Sequence, residues 1–483
     1  MAVVPTTQMV PLFYAQLDAS GANTATEGGR SLLIGQMTAA GSATVDAIQS
    51  VVSFAQAVEL FGEGSEAAQL AETFFANGGQ NLYMAGVDDP SGGAAATAAI
   101  TVSGAPGVAG TLHMYIANRR VSVALDAGDA AADVADSIAD AITAAAHMPF
   151  TASAAAEVVT LTAANLGTVG DTYHVDFNLE AGEAHTGTLA YAVVYAGGSG
   201  DSSVAGVVTA MGEDSYDYIG VPSNAGAVTE IGDALNDTAG RWSPYVGLYG
   251  HAFTVLHGSY SALVAGGGSS GRNDQHLSMF AFEVDTPSSA PAFVGALLAV
   301  ASLHLEDDPS LPLQTLKLVG VRGAATRFSA AERDGLLGAG YATCKTTQAG
   351  VVTVERTRTT YVEDAVGAPD NSYTDVQVLA LAWHVFRELR SAVLTKFGRV
   401  KLVDDDVRLS SGQAAVTPSL AKGVILAVYD ELSHRGWVEG VKAFADSLTV
   451  TRNASDPNRL DAVIRADFAN QLRIFTVLNK FIR

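Results

Sequence analysis

A chain of 483 residues, 48% hydrophobic and 16% charged, is too long for a small stapled module and too apolar for a disordered one. At roughly 150 residues per domain, it has length for about three cores. Its net charge of −23, from 27 Lys and Arg against 50 Asp and Glu, argues against a nucleic-acid partner.

The charge is unevenly placed. Residues 1–316 carry 5 Arg, no Lys and 32 acidic residues, whereas residues 384–483 carry 15 bases against 11 acids. An acidic body therefore ends in a mildly basic part, which is either a surface for an anionic partner or an ordinary charged helix surface. Cys344 is the only cysteine, so no intramolecular disulfide forms and a reducing compartment is compatible. Residues 1–10 lack the basic region and apolar core of a secretion signal. The best membrane candidate, residues 291–305, is short and ends in Glu306-Asp307-Asp308. A soluble protein without membrane insertion is expected.

In chain order, residues 1–30 show no sustained period and read as an extended N-terminal arm. Residues 31–36 then form a buried-strand candidate, and residues 52–75 contain a helical pattern ending at Asn77-Gly78-Gly79. Residues 82–87 return as a strand, so 31–87 reads as the first part of an α/β core. An Ala- and Gly-rich stretch opens an insertion, 88–200. There Leu112, Met114 and Ile116 alternate, residues 118–120 turn, and Val121, Val123 and Leu125 alternate again as a hairpin. Val134, Ile138 and Ile142 mark a helix that Pro149 stops, and strands follow at 158–161 and 173–179. Gly197-Gly198-Ser199-Gly200 closes this unit as a linker.

Residues 201–365 resume the core. Apolar runs at 218–221, 245–248, 279–282 and 316–321, with a helical stretch at 292–305, have a βαβ rhythm that predicts a parallel-type sheet. Residues 351–354 and the Thr-rich 357–361 are β-prone. Within residues 366–470, Ser372 and Asp375 resemble a capping box before Val376, Leu379, Trp383, Phe386 and Arg390 at helical spacing. Thr417-Pro418 caps a second helix that Gly436 closes. A short helix is expected around 467–471, and Phe475, Val477 and Phe481 alternate in a final strand, the C-terminal arm 471–483. The expected fold is α/β and α+β multidomain: an α/β core sheet domain, an inserted small α+β, β-rich domain, and a C-terminal α+β domain with extended N- and C-terminal arms. An apolar strand at a free terminus must pair with something, so both arms are expected to reach other subunits.

Motifs for chemistry are sparse. No glycine precedes a lysine, so a Walker A loop is absent, as are HExxH and CxxC. Gly267-Gly268-Ser269-Ser270-Gly271 matches GxSxG, which keeps an α/β hydrolase using Ser269 or Ser270 as the alternative function. A nucleophile elbow must lead into a helix, however, and residues 277–282 read as a strand, which favours a plain loop. His251 and His257 have no neighbouring carboxylate in sequence and read as structural. Asp404-Asp405-Asp406 lacks the glycine and glutamate of a calcium loop. The acidic stripe from Asp126 to Asp140 reads as a solvated helix face. Arg387, Arg390, Lys396, Arg399 and Lys401 make either a basic edge for an acidic protein or a solvated helix end. No catalytic, metal or cofactor residues are assigned.

Longer motifs carry a resemblance. Residues 369–377 (PDNSYTDVQ), 396–404 (KFGRVKLVD), 413–418 (QAAVTP), 453–461 (NASDPNRLD) and 468–475 (FANQLRIF) resemble the tail sheath proteins of contractile-tailed bacteriophages, the Mu-like group above all. Upstream, 11–14 (PLFY), 31–36 (SLLIGQ), 61–65 (FGEGS), Arg272-Asn273 and 312–316 (PLQTL) agree in order, and the likeness is weakest in 88–200. The resemblance implies a non-enzymatic virion subunit, assembled in the host bacterial cytoplasm. It would form stacked hexameric rings around a tail tube and contract to drive the tube through the host envelope for genome delivery. Its implied partners are further copies of itself, the tail tube protein, and baseplate and tail terminator proteins. The sheath of a tail-like bacteriocin or injection device shares these physics. Carried over by position, inter-subunit contacts fall on Val3, Val4, Val10 and Leu12 of the N-terminal arm and on Phe475, Val477, Leu478 and Phe481. A tube-facing surface falls on the helix after Ser372, through Arg387 and Arg390, with Lys396, Arg399 and Lys401 alongside.

Overall fold

The computed structural model describes residues 29–184, 187–222, 224–265, 271–408, 410 and 412–481. Its contacts divide them into a large unit, residues 29–384 with 468–481, and a small unit, residues 385–467.

The large unit opens with β1 (Ser31–Gln36), β2 (Gln49–Val51), α1 (Phe54–Phe61), α2 (Glu66–Ala76) and β3 (Leu82–Val87). The helical pattern over 52–75 is thus two helices. Gly62 and Gly64 break it with φ of +89° and +71°, and the hydroxyls of Ser53 and Ser65 cap the two N-termini.

Residues 88–200 build a separate hydrophobic core. Here β4 (Thr97–Ser103), β5 (Gly110–Ile116), β6 (Arg119–Leu125), β7 (Phe150–Ala155), β8 (Val158–Ala163), β9 (Val175–Phe177) and β10 (Ala190–Ala196) form antiparallel sheets in the orders β10-β4-β8-β7 and β6-β5-β9. Helix α3 (Ala131–Ala144) buries Val134, Ile138 and Ile142 among them. The β5–β6 hairpin turns at Ala117 and Asn118, with φ of +47° and +64°, one step before the expected 118–120.

The chain re-enters the core through α4 (Ala205–Met211), β11 (Tyr218–Gly220), α5 (Ala225–Leu235), β12 (His251–His257), α6 (Tyr260–Val264), β13 (Leu277–Phe282), α7 (Ala290–Asp307), β14 (Lys317–Leu318), α8 (Ala330–Gly338), β15 (Ala342–Thr346) and β16 (Val352–Arg356). The nine-stranded sheet has the order β14-β16-β15-β13-β12-β11-β1-β3-β2. Its six middle strands are parallel, but β2, β16 and β14 pair antiparallel at the edges, so the sheet is mixed rather than parallel throughout. Leu33 faces α2 and α7, while Leu32 and Ile34 face α4 and α5, so β1 is covered on both sides and reads as a continuous apolar run. Two expectations fail locally. Residues 245–248 are turn and irregular backbone, with Gly247 at φ +61°, and the strand lies at His251–His257. Only Lys317–Leu318 of the 316–321 run is strand.

Helix α7 is long and apolar enough to span a bilayer by length and composition, yet Phe293, Leu298 and Leu305 are fully buried against the sheet. It crosses α2 at Gly295, where an added Cβ would sit 2.1 Å from the Leu70 carbonyl oxygen. Backbone cannot yield as a flexible side chain can, so Gly295→Val is expected to cost about 3 kcal/mol or more, read as a lowered unfolding midpoint in urea.

The insertion meets the core beyond the C-terminal ends of β1 and β3. In open α/β sheets, the crevice there, beside the strand where the order reverses, ordinarily takes a ligand. In this chain Asn165 and Leu166 occupy it. The Gln36 amide donates to Asp89 Oδ1 (2.8 Å) and the Leu166 carbonyl (2.9 Å), and Asn165 donates to Asp89 Oδ1 (3.0 Å) and accepts from the Glu66 backbone N–H (2.9 Å). Glu66 accepts from the Gln36 backbone N–H at 2.8 Å. Burial pushes the Glu66 carboxyl up to about 7, with Gln36 opposing and Asp89 adding to the rise. Gln69 continues the seam, donating to Tyr173 Oη (2.7 Å) and accepting from Ser289 Oγ (3.0 Å).

Helix α9 (Val376–Phe397) begins in the large unit, where Trp383 is fully buried against Tyr218. The capping box expected from Ser372 and Asp375 does not form. Ser372 bonds Asp370 through its N–H (2.9 Å) and hydroxyl (2.7 Å), and Asp375 is engaged by arginine. The small unit holds the rest of α9, β17 (Lys401–Leu402), β18 (Ala415–Val416), α10 (Pro418–His434), β19 (Val438–Glu439), α11 (Val441–Ser447), β20 (Thr449–Arg452) and β21 (Leu460–Val463). Thr417 caps α10, with Pro418 at the first helical position, and Tyr429 stacks on Phe444 with centroids 3.5 Å apart. Residues 467–471 are not helical: Asp467 and Phe468 form a short bridge strand, and irregular backbone follows.

Candidate inter-subunit surfaces

The C-terminal tail changes character within a few residues. The Gln471 amide donates to the Ser310 carbonyl and Gln314 donates to the Leu472 carbonyl, both at 3.3 Å. Arg473 Nη2 lies 3.0 Å from Gln377 Oε1 and 3.3 Å from Asp375 Oδ1. From Ile474 onward the chain stands in solvent: Phe475, Val477, Leu478 and Phe481 are 73–81% exposed. Residues 474–481 take no strand pairing among the described residues. Buried apolar side chains stabilise by about 1.5–3 kcal/mol each, so this is surface with much to gain from a partner. The N-terminal candidates Val3, Val4, Val10 and Leu12 lie outside the described residues.

The root of the tail was not anticipated from sequence. Arg356 grips Asp375 with two bonds of 2.9 Å, and Arg473 approaches the same carboxylate. Asp375 holds Arg356 above the ordinary guanidinium range, while burial pushes Arg473 below it. The signal available was the motif at 468–475, which contains Gln471 and Arg473.

In the small unit, the distal half of α9 presents Arg390 and Lys396 to solvent, with Val393 and Leu394 41% and 61% exposed beside them. Arg387 is half-buried, Arg399 and Lys401 are exposed, and Lys401 reaches Gln413 at 3.5 Å. Helix propensity extends α9 past the point where its apolar face has neighbours to bury, which leaves a mixed basic and apolar surface. A shallow groove runs between α9 and α10, where Arg435 pairs with Glu388 (2.8 Å) and Glu431 (2.9 Å). The β17–β18 pair is parallel and the β20–β21 pair is an antiparallel hairpin, and each is only two strands wide among the described residues. Asp404 pairs with Arg452 (3.1 Å) and Asp405 accepts from the Ser419 N–H (3.0 Å), so the Asp404–406 turn braces this unit.

The groups weighed for chemistry are structural where they are described. Ser269 and Ser270 lie outside the described residues, and the strand expected after them is β13. His251 meets Ser278 Oγ at 2.8 Å inside the sheet, and burial depresses it. His257 packs between Phe282 and Phe293 and is likewise pushed down, to about 3. Among the described residues no group of three or more His, Cys, Asp or Glu is arranged to hold a metal.

A multi-unit chain that carries a continuous run of exposed apolar side chains along its tail has the features of an assembly protein. Comparisons with known proteins narrow this. The phage tail sheath protein central domain matches residues 197–360, and the phage tail sheath C-terminal domain matches residues 368–482. The Mu-like prophage FluMu tail sheath protein of Haemophilus influenzae is 31% identical, over 99% of this chain and 98% of its own length. Among solved structures, a sheath tail protein of Desulfitobacterium hafniense is similar with a TM-score of 0.48 and 12% identity, covering 95% of this chain and 100% of that one. The contracted helical sheath of the anti-feeding prophage gives a TM-score of 0.47 and 12% identity, covering 99% of both chains. The chain belongs to the phage tail sheath protein family. It is a structural, non-enzymatic subunit of a contractile tail sheath.

Proposed function

We propose that this subunit polymerises as stacked hexameric rings around a tail tube, in the virion of a contractile-tailed phage assembled in the host cytoplasm. The exposed apolar tail at residues 474–481 carries the reading: a strand-length segment with alternating aromatic and aliphatic residues is a donor for strand addition to a neighbour. The open edges of β17–β18 and β20–β21 in the small unit are the receiving edges, and Val3, Val4, Val10 and Leu12 act from the other end of the chain. In this reading residues 1–30 and 471–483 are arms, 31–87 and 201–365 the core, 88–200 an outer domain and 366–470 the inner domain. Arg387, Arg390, Lys396, Arg399 and Lys401 meet an acidic tube surface, and baseplate and terminator proteins bound the polymer. Repetition of a heterologous contact that does not close gives a filament, and contraction repacks rigid subunits into a lower-energy lattice without nucleotide.

Negative-stain electron microscopy of the concentrated protein, alone and with its tube protein, tests this. Hollow cylinders or stacked six-fold rings are expected. A uniformly monomeric preparation under both conditions overturns it.

A further inference from the structure

We infer that Arg473 is the anchor of the C-terminal arm, dividing the tail into a fixed root at residues 471–473 and a reaching strand that begins at Ile474. The inference rests on the strand-adding role proposed above and specifies where the arm is held. Three polar fastenings fall on three consecutive residues, all to the large unit: Gln471 to the Ser310 carbonyl, Gln314 to the Leu472 carbonyl, and Arg473 to Gln377 and Asp375. The Arg473 side chain is 15% exposed, whereas Ile474, the next residue, is 82% exposed. Leu472 turns outward at 69% exposure, so the root is held by its polar contacts, and from Ile474 to Phe481 every residue is exposed.

The receptor is rigid. Gln377 is fully buried, and its amide donates to the Leu311 carbonyl at 3.4 Å, which turns Oε1 toward Arg473. Asp375, 13% exposed, is already held by the two-pronged grip of Arg356 at the end of β16. Pull on the arm therefore passes through Arg473 into the first turn of α9 and the antiparallel edge of the nine-stranded sheet. Residues 474–481, fully extended, reach about 26 Å from this root. Nη2 alone reaches both oxygens, and a lysine ammonium in its place keeps the charge without the planar, delocalised head. Arg473 is a positioning residue: it sets the origin and direction of the strand and makes no inter-subunit contact itself.

The test compares the full-length chain with Arg473→Met, Arg473→Lys and a deletion of residues 474–483. Hydrogen exchange of the unassembled protein reads the root. The Met variant is expected to exchange about tenfold faster at residues 376–378, where the Val376 and Val378 amides are bonded at the receptor, while the core sheet keeps its protection, with Lys between Met and wild type. Electron microscopy of cylinders contracted with dilute urea reads the function: wild-type cylinders stay continuous, and those of the Met variant come apart into separate rings or form in much lower yield. Unchanged exchange with continuous contracted cylinders for Arg473→Met overturns the anchor. If Arg473→Met fails to fold, the double change Gln314→Ala with Gln471→Ala carries the same two readouts, and wild-type behaviour there overturns it. Normal cylinders from the deletion overturn the arm reading itself. Loss of cylinders by the deletion, with wild-type behaviour of the Met variant, overturns only the anchor.

Discussion

Deleting residues 474–483 is expected to leave a folded monomer that forms no cylinders at any concentration that assembles the wild type. Ile474, Phe475, Val477, Leu478 and Phe481 are 73–82% exposed, so removing them takes almost nothing from the core. The shift in stability is expected to stay within about 0.5 kcal/mol, as for surface changes away from packed features. Assembly loses much more. Each of those five side chains contributes about 1.5–3 kcal/mol if it is buried against a neighbour, and the backbone groups of the strand lose their pairing partner as well. Both losses recur at every subunit of the polymer. Circular dichroism melting and sedimentation velocity separate the two effects: an unchanged melt with a single slow boundary supports the arm, and normal cylinders sink it.

The parts of this fold that were legible in the sequence share a physical property. Residues 31–36, 82–87 and 277–282 lie in strands covered on both faces, so their runs are continuously apolar and bounded by turn residues. Thr417-Pro418 was readable because a cap is a local event. Misreadings arose where hydrophobicity outweighed turn chemistry. Residues 245–248 look strand-like, but Pro244 precedes them and Gly247 adopts positive φ, while β12 begins and ends in histidine and hides its apolar interior. Residues 467–471 contain helix formers, yet the Asp467 N–H is taken by Tyr429 Oη (3.1 Å), a partner no local pattern reveals. The same holds for the surfaces. The apolar arm was visible as an alternation at a chain end, whereas its root was not, because Arg473 meets Gln377 across 96 residues of sequence. The insertion's seam was equally hidden: Glu66 and Asn165 are 99 residues apart, and neither belongs to a motif for chemistry.

That seam gives the second large expected effect. Glu66 titrates near 7 instead of the ordinary 4.5 because the folded chain buries its carboxyl, with Asp89 beside it. The folded state therefore binds this proton more tightly than the unfolded state, and stability falls as pH rises from about 4.5 to about 7, after which the loss is complete. The displacement corresponds to about 3 kcal/mol, drawn from the joint between the insertion and the core. Carboxyls held below their usual range, such as Asp237 beside His276 and Asp405 beside Thr417 and Ser419, act in the opposite sense, so the term must be isolated by difference. Glu66→Gln provides it. The amide oxygen still accepts from the Gln36 N–H and no proton is exchanged, so the variant is expected to be less stable than wild type at pH 5, to gain on it up to about pH 7, and to level off by pH 8. Urea midpoints at pH 5, 6, 7 and 8 measure this crossing, and hydrogen exchange at residues 164–172 locates it at the seam. Parallel pH curves for the two proteins would mean that Glu66 keeps one charge state throughout, and that the insertion is seated without a proton held on Glu66.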